Sequence, residues 1–134
     1  MYLFDHHIAT KSSQQMSKVT DMVREDIIKS GVRSGIVVVY SPHTTAGFTI
    51  NENADPDVVH DMLLGYESVF PTHSEHYRHA EGNSHAHMKT TAFGPSQTLI
   101  IHDGELILGM WQDLYFCEFD GPRNRKFFVK IIEG

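Results

Sequence analysis

The sequence is poor in cysteine and tryptophan, with one residue of each among 134. A lone thiol, Cys117, cannot form an internal disulfide, so a disulfide-stapled secreted scaffold is excluded and a reducing compartment is indicated. No window approaches the roughly 20 apolar residues of a membrane-spanning helix. The first residues lack the basic leader and unbroken apolar core of a secretion signal. These absences predict a cytoplasmic protein that is not bound to a membrane.

Positive charge is also scarce, because 11 Lys and Arg residues stand against 17 Asp and Glu residues, for a formal net charge of −6. Nucleic acids and anionic bilayers attract basic surfaces, so neither is an expected partner. The one dense basic segment, GPRNRK at 121–126, is too short to follow a duplex but suits a phosphate group. The expected partner is therefore a small phosphorylated molecule.

Repeats, low-complexity tracts and linker-like segments are missing, which predicts a single domain over residues 1–134. A glycine-rich phosphate loop and a dinucleotide fingerprint are missing as well. Two helices are predicted in the first half of the chain. One begins at Thr20, whose side chain can cap it, and ends at Gly31. The other begins at Asp55, a helix cap that Pro56 follows in the first turn.

Short apolar runs rich in β-branched and aromatic residues predict strands elsewhere. In the first half they read YLFDHHIAT, GIVVVYS and AGFTI, and in the second half HMKTTAF, QTLII, ELILG, LYFCEF and KFFVKII. An Asp-Gly pair at 103–104, between two of these runs, predicts a hairpin. Helices in the first half of the chain and consecutive strands in the second half predict an α+β fold, with two main helices and a mostly antiparallel, sandwich-like sheet.

Histidine is abundant, and five of the ten histidines lie in residues 73–87. Neutral imidazole is the commonest metal-binding side chain, and a catalytic zinc ion takes three protein ligands plus an open position. His87 at the entry to HMKTTAF and His79 on the loop before it are candidates from this segment. His43, at the end of the GIVVVYS run, is the candidate from elsewhere. The alternative is a solvated loop that is rich in imidazole.

Other polar side chains stand where elements are expected to end. Carboxylates suited to acid–base work or metal binding are Glu52, Asp55 and Glu81. Side chains suited to a phosphorylated heterocycle are Thr44, Thr45, Trp111, Gln112, Arg123 and Arg125. Several have structural alternatives, since an Asp before Pro caps a helix, a lone Trp packs in a core and arginines occupy solvated turns.

Three segments together resemble the YjbQ-like family of small bacterial and archaeal proteins, which is associated with a secondary thiamine-phosphate synthase activity. They are SPHTTAGFTINENADPDVVHDM at 41–62, YRHAEGNSHAHMKTTAFGPS at 77–96 and DGELILGMWQDLYFCEFDGPRNRKFFVKI at 103–131. The family's Gly-Thr-Trp-Gln-Gly pattern is matched here at Trp111 and Gln112. The chain departs from that pattern on either side, at Met110 and Asp113.

The resemblance implies an α+β domain that assembles as a homotrimer and carries a histidine-lined pocket for a divalent metal, of which zinc suits three imidazoles. The matching ligands are His43, His79 and His87. Further positions that match the family are the carboxylates Glu52 and Asp55, and Asn51 and Lys89, which the resemblance implies bind substrate. The implied reaction joins a pyrimidine-methyl diphosphate to a thiazole phosphate and releases pyrophosphate. A metal-dependent hydrolase and a non-catalytic metal- or ligand-binding oligomer are the alternatives.

Overall fold

Strands and helices are mixed along the chain in the computed structural model, which describes residues 2–134. In chain order the elements are β1 (Tyr2–Ala9), β2 (Gln15–Lys18), α1 (Thr20–Ser30), β3 (Gly35–Tyr40), β4 (Ala46–Glu52), α2 (Pro56–Val69), α3 (Ser84–Phe93), β5 (Ser96–His102), β6 (Glu105–Leu106), β7 (Gln112–Glu118) and β8 (Asn124–Glu133). Among these residues, no helix is both long and apolar enough to cross a bilayer.

The strands form two antiparallel sheets. The five-stranded sheet has the order β1-β8-β3-β5-β6, and the three-stranded sheet has the order β2-β7-β4. Strands β7 and β8 follow each other in the sequence but belong to different sheets, so the turn between them passes from one layer to the other. This architecture confirms the predicted α+β fold with a mostly antiparallel sheet.

The core lies between the two sheets and rests on three fully buried phenylalanines. The ring of Phe48 lies 5.4 Å from the ring of Phe116 and 5.4 Å from that of Phe127, centroid to centroid. Both contacts are edge-to-face, which aromatic rings favour over face-to-face stacking. Val23 and Ile27 of α1 pack on the same core. The alternation of buried and exposed residues along β3, β5 and β8 places the apolar side of each strand here.

A second cluster lies on the other face of the three-stranded sheet, where α2 and α3 cover β4 and β7. Its buried members are Ala86, Tyr115, Cys117 and Phe119. Close approach of the chain after α3 depends on Gly47, because a Cβ atom there would lie 2.4 Å from the carbonyl oxygen of Gly94. The order of layers is therefore five-stranded sheet, three-stranded sheet, helices.

The prediction of a strand at HMKTTAF is wrong, because this segment lies in α3. A helix places residues four apart on one side, and His85 and Lys89 are both buried and hydrogen-bonded to each other there. The chain thus has a third helix among the residues described. The ELILG strand is also shorter than predicted, since only Glu105–Leu106 pairs with a neighbour.

The helix starts are predicted correctly, but one cap is not. Asp55 accepts a hydrogen bond from the backbone N–H of Asp57 at 2.9 Å, which confirms it as the cap of α2. Thr20 does not cap α1. Its hydroxyl donates to the carboxylate of Asp113 and accepts the backbone N–H of Leu114, so it joins α1 to β7 instead. The predicted hairpin at 103–104 is confirmed between β5 and β6.

Candidate functional site

A cavity of about 410 Å³, called here the histidine cavity, opens at one end of the two sheets. The β3–β4 connection, the loop before α3, the first turn of α3 and the β7–β8 turn meet there. Its lining consists of Pro42, His43, Thr44, Thr45, His79, Glu81, Asn83, His87, Asp120, Arg123 and Arg125. Eight residues predicted to belong to a site lie among these: His43, Thr44, Thr45, His79, Glu81, His87, Arg123 and Arg125.

A buried ion pair forms the floor of the histidine cavity. Arg125 is 6% exposed and Glu118 is fully buried, and Nε of the arginine donates to Oε1 of the glutamate at 2.8 Å. The same arginine donates to the hydroxyl of Thr45 at 2.9 Å. Burial acts to raise the pKa of Glu118, but hydrogen bonds from Arg125, the Asp120 N–H and Thr10 outweigh burial and lower it. Glu118 is therefore ionised, and Arg125 is held rigidly.

His79 and His87 are in edge-to-face contact and together line one side of the histidine cavity. Their ring centroids lie 5.5 Å apart with the ring planes at 80°. Oε1 of Glu81 lies 3.7 Å from Nε2 of His79, and both of these side chains reach solvent. An ion bound by both rings would lie about 2.1 Å from one nitrogen of each. The pair is therefore a candidate for a shared ion or a shared ligand oxygen.

His43 is half-buried and has one ring nitrogen engaged. Nε2 accepts the backbone N–H of Lys126 at 3.0 Å. The pKa of His43 is lowered, first by burial and then by the positive charge of Arg125. The ring therefore stays neutral at physiological pH.

The fit of a three-histidine metal centre to this arrangement is incomplete. Among residues 2–134, no three His, Cys, Asp or Glu side chains are placed together so that they could hold one ion. His79 and His87 suit a metal, whereas the lone pair on Nε2 of His43 is already used by Lys126. The predicted zinc ion stays a prediction.

Asn83 and Asp120 belong to the cavity although neither was predicted from the sequence. The amide nitrogen of Asn83 donates to Oδ2 of Asp120 at 2.7 Å, and Arg123 donates to the same oxygen at 3.1 Å. The carboxylate fixes the amide orientation, so the buried Oδ1 of Asn83 lacks a donor among the residues described. The Gly-Asn pair at 82–83 is typical of the residues before a helix, but this signal was missed because the following segment was predicted to be a strand.

Lys89 lies outside the histidine cavity, although it was predicted to bind substrate. Its side chain is fully buried, and its ammonium group donates to Oε1 of Glu67 at 2.7 Å and to Nδ1 of His85 at 2.9 Å. The pKa of His85 is lowered, first by burial and then by the positive charge of Lys89. These contacts join α2 to α3, and the complete burial of the Lys89 side chain keeps it from reaching a ligand in the histidine cavity.

The remaining candidates lie at the opposite end of the three-stranded sheet. The register pairs Ala46 with Glu118 at the cavity end and Glu52 with Gln112 at the far end, about 20 Å away at strand spacing. The far-end set consists of Asn51, Glu52, Asp55, Trp111 and Gln112. The Glu52 carboxylate accepts two backbone N–H groups of the turn into α2, and Trp111 is 61% exposed. One chain cannot place both ends around one small ligand.

A second cavity of about 540 Å³ adjoins the first and shares His79 and His87 with it. Its other lining residues include Tyr77, Arg78 and Met88. The histidine pair thus separates a polar cavity, which contains Arg123 and Arg125, from a more apolar one with an aromatic wall. A molecule with a charged group and a flat ring would find a complementary surface on each side.

The comparisons with known proteins cover almost the whole chain. A family model described as UPF0047 protein YjbQ-like matches residues 5–134. The UPF0047 protein YugU of Bacillus subtilis is 50% identical over 125 residues, which are 93% of this chain and 95% of that protein. A crystal structure from Clostridium acetobutylicum, described as an uncharacterized conserved protein of the same family, is 52% identical with a TM-score of 0.94 and covers 96% of this chain and 99% of its own. A YbjQ-like protein of unknown function from Sulfolobus solfataricus is 29% identical, with a TM-score of 0.94 over 99% of this chain and 97% of its own.

Proposed function

The chain belongs to the UPF0047 family of YjbQ-like proteins, and from that premise we propose that it is an enzyme acting on a phosphorylated heterocycle. One observation carries the proposal. Eight side chains selected from distant parts of the sequence line one cavity, and one of them is a rigid buried arginine. Imidazoles, a carboxylate and guanidinium groups in one cavity are the groups that phosphate chemistry needs.

The specific reaction in this proposal is the synthesis of thiamine phosphate. The ring nitrogen of the thiazole phosphate attacks the methylene carbon of the pyrimidine-methyl diphosphate. A C–N bond forms, the C–O bond to the diphosphate breaks, and pyrophosphate leaves with the bonding electron pair. Stabilising the charge on that leaving group lowers the barrier.

Some residues of the two adjoining cavities supply positive charge for the phosphate groups, and others supply a flat surface for the heterocycle. Arg123 is 51% exposed and can meet a phosphate directly. Arg125 adds a fixed positive charge at the floor. Tyr77 lies beyond the histidine pair and offers a face for a heterocycle. The substrate would therefore lie across His79 and His87.

A divalent metal ion, with zinc as the leading candidate, remains part of the proposal. When bound, such an ion supplies positive charge that neutralises a diphosphate group. The candidate residues to hold it are His79 and His87, which are in edge-to-face contact with Glu81 nearby. Elemental analysis of protein purified without added metal tests this part, and an equimolar ion that His79→Ala abolishes is the expected result.

The predicted homotrimer also belongs to the proposal. Trp111 and Gln112 lie about 20 Å from the histidine cavity along the strands of the same chain. They can contribute to the reaction only if a neighbouring subunit brings its far end to this cavity. A composite site of this kind would use all the segments that match the family.

The test is product formation from the two purified precursors. Arg123→Ala should lower the rate by about 10²-fold, because it removes an exposed guanidinium that meets the phosphate. Arg24→Ala is a matched control, since Arg24 and Arg123 are both 51% exposed and each pairs with an aspartate three residues before it. Equal rates in the two variants would show that the histidine cavity takes no part in the reaction.

A metal-dependent hydrolase is the second candidate, and the Glu81–His79 contact favours it. A carboxylate 3.7 Å from an imidazole nitrogen is suited to accept a proton from water. A screen of phosphate esters and amides, with and without a chelator, separates the two reactions. Turnover of a single phosphate ester without the second precursor would support the hydrolase.

A further inference from the structure

The backbone determines which nitrogen of His43 carries the proton. Lys126 lies in β8, and its backbone N–H can only donate. Nε2 of His43 lies 3.0 Å from that nitrogen and must therefore present its lone pair. In a neutral imidazole the other nitrogen then bears the hydrogen. His43 is thus held as the Nδ1–H tautomer.

The loop that carries His43 has little freedom to release this contact. Ser41 is buried, its hydroxyl donates to the carbonyl of Ala46 at 2.7 Å, and it accepts the backbone N–H of His43 at 3.2 Å. The Ser41 N–H donates to the carbonyl of Pro95 at 2.8 Å. Both ends of the His43 contact are therefore fixed by ordered backbone.

A metal ligand needs a nitrogen lone pair, and the second nitrogen of a metal-bound histidine ordinarily donates its N–H to a protein acceptor. His43 shows the opposite arrangement, because its second nitrogen accepts a backbone N–H. The only atom left for a ligand, Nδ1, carries a hydrogen. His43 is therefore built to donate and not to coordinate.

The surroundings indicate what would accept this hydrogen bond. Among residues 2–134 no protein group accepts from Nδ1, and the carboxylates of the cavity are engaged elsewhere. Asp120 accepts from Asn83 and Arg123, and Glu81 lies beside His79. The arginines at the floor and rim favour an anionic ligand.

We propose that His43 is a neutral Nδ1–H donor that binds an oxygen of a phosphate or diphosphate group in the histidine cavity, and that it is not a metal ligand. The proposal rests on the proposed function only for the chemical class of the ligand. The tautomer follows from the backbone contact alone.

Long-range ¹H–¹⁵N correlation spectra of the ¹⁵N-histidine-labelled full chain test the tautomer directly. We expect the spectra to show a hydrogen on Nδ1 of His43 and none on Nε2. Added zinc should leave this pattern unchanged, and added pyrophosphate should shift the His43 resonances. An Nε2–H pattern, or loss of the Nδ1 hydrogen of His43 when zinc is added, would overturn the proposal and leave the proposed enzyme intact.

Calorimetric titration with pyrophosphate tests the ligand. His43→Phe should weaken binding on the order of tenfold, the effect of one hydrogen bond to a charged group. His43→Asn is the matched variant, because its amide nitrogen is separated from the backbone by the same bonds as Nδ1 and keeps the donor. It should bind within about threefold of the wild type. Equal weakening by both variants, or no binding by the wild type, would overturn the assignment.

Discussion

Lys89 is the one lysine of the described chain that is fully buried, and its partners explain how it stays there. Its ammonium group donates to Glu67 and to His85. Burial acts to raise the pKa of Glu67, but the hydrogen bonds from Lys89 and Thr72 outweigh burial and lower that pKa to about 2. Glu67 is therefore ionised at neutral pH, and its contact with Lys89 joins α3 to α2.

Removing either partner should have unequal effects on stability. Glu67→Gln leaves a fully buried ammonium without its counterion, whereas Lys89→Met leaves a carboxylate that is 37% exposed and can be hydrated. Losing one partner of a fully buried pair costs roughly 3–5 kcal/mol of stability. Because Glu67 is partly exposed, the cost of Lys89→Met should be smaller, about 2 kcal/mol. Urea unfolding should rank Glu67→Gln as the less stable variant. The reverse order would show that burial of the Lys89 side chain does not decide the ranking.

The same carboxylate should contribute to the acid limb of stability, as should Glu118, whose pKa is also lowered. The pKa of Glu67 falls from 4.5 to about 2 on folding, so the stabilisation is complete above pH 4.5 and is lost as the pH falls towards 2. Glu67→Gln lacks this group and should lose less stability over that interval. Unfolding curves of both proteins from pH 5 to 2.5 measure the difference. Parallel curves would contradict the assigned pKa.

The location of the site was more predictable than the role of each residue. Position at the end of an apolar run identified His43, because side chains there lie at the rim of a rigid sheet. The burial of Lys89 was not predictable, because it depends on α3 packing against α2. A site role for Asp120 was not predictable, because an Asp-Gly-Pro sequence indicates only a turn.

At the level of elements, the strands and hairpins were largely predictable and α3 was not. The alternation in β3, β5 and β8 reflects one buried face, a signal that adjacent residues supply. Helix α3 buries His85 and Lys89 alongside Ala86 and Thr90, so its inner side is mostly polar. Apolar periodicity therefore fails there, and the β-branched Thr90 and Thr91 favoured a strand.

Substitution of Asp55 separates a helix cap from a catalytic acid. Asp55→Ala should destabilise the protein by about 1 kcal/mol, because the N–H of Asp57 loses its acceptor. Asp55→Asn keeps an oxygen at the cap and should lose only a few tenths of a kcal/mol. Chemical denaturation and the precursor assay are run on the same preparations. Stable but inactive Asp55→Asn would support the predicted acid–base role, and stable, fully active protein would assign Asp55 to capping alone.

Across the whole molecule, the residues that match the family divide between two distant ends. The histidine cavity lies at the Ala46 end of β4, and Trp111 lies at the Glu52 end. Sequence order gives no indication of this separation, because Trp111 and Arg123 are close in the chain but flank a full strand. A second copy of the chain is the simplest way to bring the two ends together.

The outer face of the five-stranded sheet is the surface best suited to hold such copies. Ile36 lies directly opposite Ile100 on one neighbouring strand and Ile132 on the other. These three side chains are 38%, 55% and 45% exposed, and the same face carries Leu3 and Tyr40. Contiguous apolar patches of this kind mark interaction surfaces on soluble proteins.

Light scattering should therefore give a trimer of the 15.2 kDa chain, about 46 kDa. Ile36→Lys places a charge at the centre of the isoleucine row and should reduce the mass to that of one chain, because burying an unpaired ammonium is costly. Ile28→Lys is the control, since Ile28 is a 76% exposed isoleucine on α1, away from this face. A trimer in both variants would show that the interface lies on another surface. A wild-type mass of one chain would contradict the trimer, and Trp111 could then take no part in the reaction at the histidine cavity.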